Sequence, residues 1–198
     1  MSNRSLVLCA LLLTACGDRG YSNGVDGGGI PDGGNPIKRV FVTSREHDGN
    51  LGGLGGADTL CNDAAANAKL KGKYAAWVST KIVSAIDHVK GPGPWFLVDG
   101  TTQAFKNRAQ LADVPLATIH QTEFGKILDG NTPFVVWTGT QLGGTLAPDS
   151  VGWGTSCNNW TTTALEGRVG SAIQKNTFWT DDTNYYCDQK HLLYCFEQ

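Results

Sequence analysis

Apolar positions along the chain repeat with two different periods. Arg39-Val40-Phe41-Val42-Thr43 is a short β-branched run and predicts a first strand. The glycines from Gly49 to Gly56 predict a loop. Ala57, Leu60, Cys61, Ala64, Ala65 and Ala68 then recur at helical spacing, giving an alanine-rich face suited to close packing on a sheet. Tyr74 to Val78 predicts a strand, Val83 to Val89 a second, shorter helix, and Phe96 to Thr101 a strand entering an Asp-Gly hairpin turn. Phe134 to Trp137 and Leu192 to Phe196 predict two more strands. Between them, Thr138 to Gln189 is polar and rich in Gly, Thr and Asn, which predicts a long loop region. Short strands, one or two helices and a long loop region together indicate an α+β domain.

The N-terminal pattern is of another kind. Arg4 precedes an apolar run from Leu6 to Leu13, then small residues lead to Cys16. This is the build of a secretory signal peptide over residues 1–15, with a run far shorter than the roughly 20 residues of a membrane-spanning helix. Leu13-Thr14-Ala15-Cys16 resembles the lipobox of bacterial lipoproteins. The resemblance implies cleavage before Cys16 and acylation of that residue, which would attach the protein to a membrane. At about 0.8 kcal/mol per buried methylene, several acyl chains hold firmly. Gly17 rather than Asp follows the cysteine, which within the same resemblance favours the outer membrane or cell surface of a bacterial envelope. Residues 16–37 read as a flexible linker: eight of the twenty residues from Gly17 to Pro36 are glycine, and no apolar periodicity runs through them. The folded part is expected over residues 38–198.

Composition narrows the functional classes. A hydrophobic content of 40% permits a real core. A net charge of −2 gives no whole-chain electrostatic reason to bind nucleic acid. G-x-S-x-G, H-E-x-x-H, a phosphate loop and a dinucleotide fingerprint are missing from the sequence. Asp149, Glu166, Asp181 and Asp182 remain available as paired carboxylates for glycoside cleavage, should the fold bring them together.

With Cys9 in the signal peptide and Cys16 assigned to lipid, four cysteines remain: Cys61, Cys157, Cys187 and Cys195. An even number in an exported chain implies disulfides, with three connectivities open. Zinc is the rival reading, but neither C-x-x-C nor a histidine at ligand spacing accompanies them.

Two longer segments carry a resemblance. Gly52-Gly53-Leu54-Gly55-Gly56-Ala57-Asp58-Thr59-Leu60-Cys61 resembles the opening of the first helix of the endostatin domain. Leu70-Lys71-Gly72-Lys73-Tyr74-Ala75-Ala76-Trp77-Val78-Ser79 resembles its helix-to-strand step. Val136-Trp137-Thr138-Gly139, Cys157-Asn158-Asn159-Trp160 and His191-Leu192-Leu193-Tyr194-Cys195-Phe196-Glu197 are similar to bacterial exported proteins that carry an endostatin-like domain. The resemblance covers essentially Lys38 to Gln198. It implies a C-type-lectin-like fold with a mixed, mostly antiparallel sheet and nested disulfides, Cys61 with Cys195 and Cys157 with Cys187.

That fold invites a calcium-dependent sugar site. Trp179-Thr180-Asp181-Asp182 resembles the Trp-Asn-Asp element of calcium-binding lectins, and Ala147-Pro148-Asp149 falls where they carry Glu-Pro-Asn. Asp149, Asp181 and Asp182 are therefore the candidate calcium ligands, aided by Asn158 or Asn159. Ala147 and Thr180 depart from the pattern, and Asp and Asn in such loops also serve as turn caps. Trp153, Trp160 and Trp179 lie in the polar region, where an exposed indole would stack on a sugar or seat a protein partner; the other reading is that they fill the core beneath the loops. Endostatin's heparin and zinc sites do not carry over: Lys69, Lys71 and Lys73 suit a solvated edge, and Glu46-His47-Asp48 is an isolated trio. The expected function is a surface-tethered, non-catalytic recognition or adhesion module for a glycan or protein ligand. A hydrolase of surface polymers and a structural envelope component are the alternatives.

Overall fold

The computed structural model describes residues 36–130, 133–149 and 152–198. The expected signal peptide, Cys16 and nearly all of the linker lie outside the described residues.

The described chain forms a mixed α+β domain around one eight-stranded sheet. Strand β8 (Leu192–Glu197) lies at its centre. On one side it pairs antiparallel with β1 (Lys38–Val42), with Phe41 opposite Cys195. Its other side is shared by two strands end to end. β2 (Tyr74–Ala76) runs antiparallel beside residues 195–197, and β5 (Val135–Trp137) runs parallel beside residues 192–193. Beyond β1 come β3 (Trp95–Phe96) and β4 (Gln103–Phe105), the hairpin that the Asp-Gly turn predicts. Beyond β5 come β6 (Glu166–Ser171) and β7 (Asn184–Tyr186), both antiparallel. Five of the seven pairings are antiparallel.

β6 and β7 correct the expectation of loops from Thr138 to Gln189. A strand reads poorly through Gly167 and Gly170, yet the packing requires glycine there: a Cβ on Gly170 would come within 2.1 Å of the Trp179 carbonyl oxygen. Helix α1 (Gly53–Asn67) likewise starts earlier than expected, inside the glycine run. Gly56 is needed because a Cβ there would lie 2.0 Å from the Leu51 carbonyl oxygen. The predicted face holds, with Ala57, Cys61 and Ala65 buried. The second helix, α2 (Ala85–His88), is one turn long.

α1 also closes the free edge of β2. Asn62, one turn after Asp58, accepts from Tyr74 N–H at 2.9 Å and donates to Tyr74 carbonyl oxygen at 2.7 Å, while Asp58 accepts from Ala76 N–H at 2.9 Å. Helix side chains thus replace a neighbouring strand, satisfying backbone groups that would otherwise be left unpaired.

The sheet separates two cores, as strand alternation requires. Phe41, Ala76, Leu193 and Cys195 face α1 together with Trp137, Trp160 and both disulfides. Val40, Val42, Tyr194 and Phe196 face the other way into a cluster built from Trp77, Trp95, Phe105 and Trp179. The disulfides join Cys61 to Cys195 and Cys157 to Cys187, the nested connectivity.

Candidate functional site

The residues singled out by sequence go to different places. Trp179 is buried among Trp77, Phe105 and Tyr194, with ring centroids 5.2, 5.4 and 5.8 Å away. Trp160 is buried on the opposite face, its indole N–H donating to the Ser79 carbonyl oxygen at 2.8 Å. Neither ring offers a face to a ligand, which corrects that expectation; burial of so much apolar surface outweighs any use as a platform. Trp153 is 55% exposed.

The asparagines sit on an unusual turn. Cys157, Asn158, Asn159 and Trp160 all have left-handed φ, from 47° to 65°. Such a run costs roughly 1–2 kcal/mol per residue. It is held by the Cys157 disulfide, the Trp160 indole bond and Ser156 Oγ, which accepts from Asn159 N–H at 3.3 Å. Asn159 Oδ1 accepts from Lys81 N–H at 2.8 Å, so this side chain fixes the 80–83 loop, whereas Asn158 is exposed.

The three proposed calcium ligands have separate tasks. Asp149 accepts from the N–H groups of Gly152 and Gly154 at 2.7 and 3.0 Å, the turn-capping role. Asp181 accepts from Arg168 Nε at 2.7 Å, and Asp182 is exposed. Glu166 accepts from Asn184, which in turn accepts from Arg168, so Glu166 and Asp181 share one network on the open face of β6 and β7. Among the described residues, no three His, Cys, Asp or Glu side chains group as a metal site. The Asp149, Asp181 and Asp182 set is therefore not brought together.

A concavity lies elsewhere among the described residues, where β1 runs out. It is a cleft of about 510 Å³. Thr43, Ser44, Arg45 and His47 form its floor, Leu60, Asp63, Ala64 and Asn67 come from the outer side of α1, and Glu123 and Phe124 form the far wall. That wall is a tight hairpin in which Gln121 bridges Ile127.

The hairpin is attached to β1 by a substitution of groups. Val42 N–H donates to the Gln121 carbonyl oxygen at 2.9 Å, as in a parallel ladder. At the next ladder position the turn has carried the backbone away, and Ser44 N–H donates to the Glu123 carboxylate at 2.8 Å instead. The Ser44 hydroxyl donates to the other carboxylate oxygen at 2.5 Å. Both bonds are charge-assisted, which compensates for burying Glu123 at 4% exposure. Phe124, the next residue, is 61% exposed at the rim.

Two histidines support the floor. His47 and His191 exchange backbone hydrogen bonds at 2.7 and 2.9 Å. Burial lowers the pKa of His47, Asp48 opposes this, and Arg45 and Lys190 add to it, so the neutral ring is favoured. His191 is held edge-on between Trp137 and Tyr185, and burial pushes its pKa down to about 4. Glu46, His47 and Asp48 do not act as a unit: Asp48 accepts from Asn50 N–H at 3.0 Å, and Glu46 borders a neighbouring depression.

The cleft thus offers a cation (Arg45), an anion (Asp63), an amide (Asn67) and an exposed aromatic ring around a fixed floor. Ser44 and Glu123 are engaged with each other in holding the hairpin. Sequence reasoning noted His47 but missed Ser44, Arg45, Asp63, Asn67, Glu123 and Phe124. The usable signal was faint: Gln121-Thr122-Glu123-Phe124-Gly125-Lys126-Ile127 has a turn glycine with an acid and an aromatic beside it.

A family model described as "Protein of unknown function (DUF1554)" matches residues 44–177. No curated protein matches the chain.

Proposed function

The chain belongs to the DUF1554 family of proteins of unknown function, and for it we propose a lipid-tethered, non-catalytic recognition module with a C-type-lectin-like domain. Its place is the bacterial cell envelope, at the outer membrane or cell surface, and its ligand is an envelope, matrix or host molecule. The tether rests on Arg4, the Leu6–Leu13 run and the lipobox-like ending at Cys16. Export agrees with two disulfides buried in the domain. The lectin-like reading is supported by the nested connectivity together with a mixed sheet, few helices and long connections.

One observation carries the recognition reading. The cleft beyond β1 combines charges of both signs, an amide and an exposed phenyl ring, while its carboxylate–hydroxyl pair is committed to structure. Preorganised concave sites with a few convergent polar groups are where ligands bind. The test is to display the full chain, in detergent, to glycan and protein arrays at several pH values. We expect saturable binding that Arg45→Ala and Phe124→Ala both weaken. Background signal throughout, or binding that neither substitution alters, defeats the reading.

A further inference from the structure

One end of the sheet is far more basic than the chain's net charge of −2 suggests. β8 ends there, beside the beginnings of β1 and β2: Val40 faces Phe196, and Tyr74 faces Glu197. β3 begins beside Lys38, and β4 ends next to that beginning, with Phe105 facing Trp95. The lysines lie just outside these strand ends. Lys69, Lys71 and Lys73 occupy the connection from α1 to β2, Lys90 precedes β3, Lys106 follows β4, and all of them are exposed. Hydrogen bonds gather their segments around the last residues. Gln198 N–H donates to the Lys73 carbonyl oxygen at 2.8 Å, and the Gln198 side chain accepts from Lys90 N–H at 2.7 Å. Arg108 N–H, two residues after Lys106, donates to the Pro92 carbonyl oxygen at 3.1 Å. Carboxylates at this margin are fewer: Glu197 accepts from Arg39 N–H at 2.8 Å, and Asp87 and Asp113 are exposed.

Because the whole chain carries −2, the rest of it is acidic. An anionic surface therefore attracts this margin and repels the remainder, which fixes an orientation. The chain also enters the domain here: Lys38 opens β1, and residues 1–35, with the Cys16 of the proposed tether, come before it. The anionic surface that such a tether brings to this margin is its own bilayer. We propose that the lysine margin rests on the phosphate-bearing lipid headgroups of the membrane to which the tether attaches. Acyl chains and a basic patch are two signals that reinforce each other at one membrane, and the attraction of each lysine acts only within about a Debye length, roughly 8 Å at physiological salt. This inference rests on the tether reading above and adds which side of the domain lies against the lipid.

The experiment adds the full chain, purified from membranes in detergent, to preformed vesicles of phosphatidylcholine alone or with about one-third phosphatidylglycerol. Flotation reports attachment. A water-soluble acetylating reagent then labels lysines, and mass spectrometry reads each site. On the anionic vesicles, Lys71, Lys73, Lys90 and Lys106 should be acetylated at least about threefold more slowly than on phosphatidylcholine, and about 0.5 M salt should remove the difference. Lys126 and Lys190, exposed beyond the other end of β1 and before the start of β8, should react equally on both. Lys71→Glu, Lys73→Glu and Lys90→Glu together should abolish the protection of Lys106. Equal labelling on the two vesicles, or protection that includes Lys126 and Lys190, overturns the inference. So does protection of these lysines by heparin or DNA where anionic vesicles give none. Flotation on phosphatidylcholine with no selective protection would leave the tether standing and remove the lysine contact. Flotation and protection on anionic vesicles alone would do the reverse. No flotation on either would remove both.

Discussion

The two faces of the sheet solve the same problem differently. The α1 face packs the small buried residues of α1 against the sheet beside Trp137 and Trp160, and holds both disulfides, one of them linking α1 directly to the central strand. The opposite face has no disulfide and depends on large rings: Trp77, Trp95, Phe105, Trp179 and Phe196 lie in successive contact with centroids 5.2–5.8 Å apart. Aromatic burial supplies large apolar area from few residues, whereas an alanine-faced helix supplies little, and the Cys61–Cys195 crosslink adds to what that helix's packing supplies. The lesson is that the helix with the smallest packing side chains is the one tied covalently to the central strand.

That contrast can be broken from either side. The largest effect should come from Cys61→Ala with Cys195→Ala. Residues 134 apart are linked, so the chain-entropy model assigns about 5 kcal/mol to this bond, against about 4 kcal/mol for Cys157–Cys187 with its separation of 30. Urea unfolding of the two double variants should give that order, and a reversed order would show that loop length is not what sets the stabilisation. Next, Phe105→Ala should cost about 4 kcal/mol through lost burial and the cavity left behind. The same loss is expected in the oxidised and the reduced protein, because the ring lies on the face without disulfides. A marked dependence on redox state would mean the two cores are coupled.

A smaller effect sharpens the description of the α1 face. His191 titrates near 6.5 when unfolded and at about 4 when folded, because burial disfavours its charged form. The unfolded chain therefore binds the extra proton first. Stability is full above pH 6.5 and declines as pH falls toward 4, by about 3 kcal/mol in total. His191→Phe should flatten that part of the pH–stability curve, measured by thermal unfolding from pH 4 to 7; an unchanged slope would assign it to other groups. The smallest expected effect is that of Trp153→Ala. This exposed ring belongs to neither core, and its loss should stay within about 0.5 kcal/mol by the same unfolding assay.

How far the residues alone could be read depended on whether the signal was local. β1, β5 and β8 were readable because β-branched and aromatic runs hold a strand pattern without help. The α1 face was readable from its alanine spacing. β6 was hidden because its glycines, Gly170 against the Trp179 backbone and Gly167 against the Cys157 and Trp137 side chains, imitate a loop. Trp160 and Trp179 were ambiguous because a polar neighbourhood in sequence does not reveal which side chains turn inward. The cleft was nearly invisible: its parts come from residues 43–47, 60–67 and 123–124, each unremarkable alone. Only the end of β1 at Val42 and the Glu123 carboxylate acting as a ladder rung bring them together. No spacing rule encodes that meeting.

The direction of β1 has one more consequence. Lys38, at its beginning, donates through Nζ to the Gln198 carbonyl oxygen, while the cleft begins past its other end at Thr43. At about 3.3 Å per residue, the strand separates these points by roughly 17 Å. Anything joined ahead of residue 36 therefore departs near one end of β1, and the cleft lies past the other. A stalk attached there would thus begin some way from the cleft rather than at its mouth.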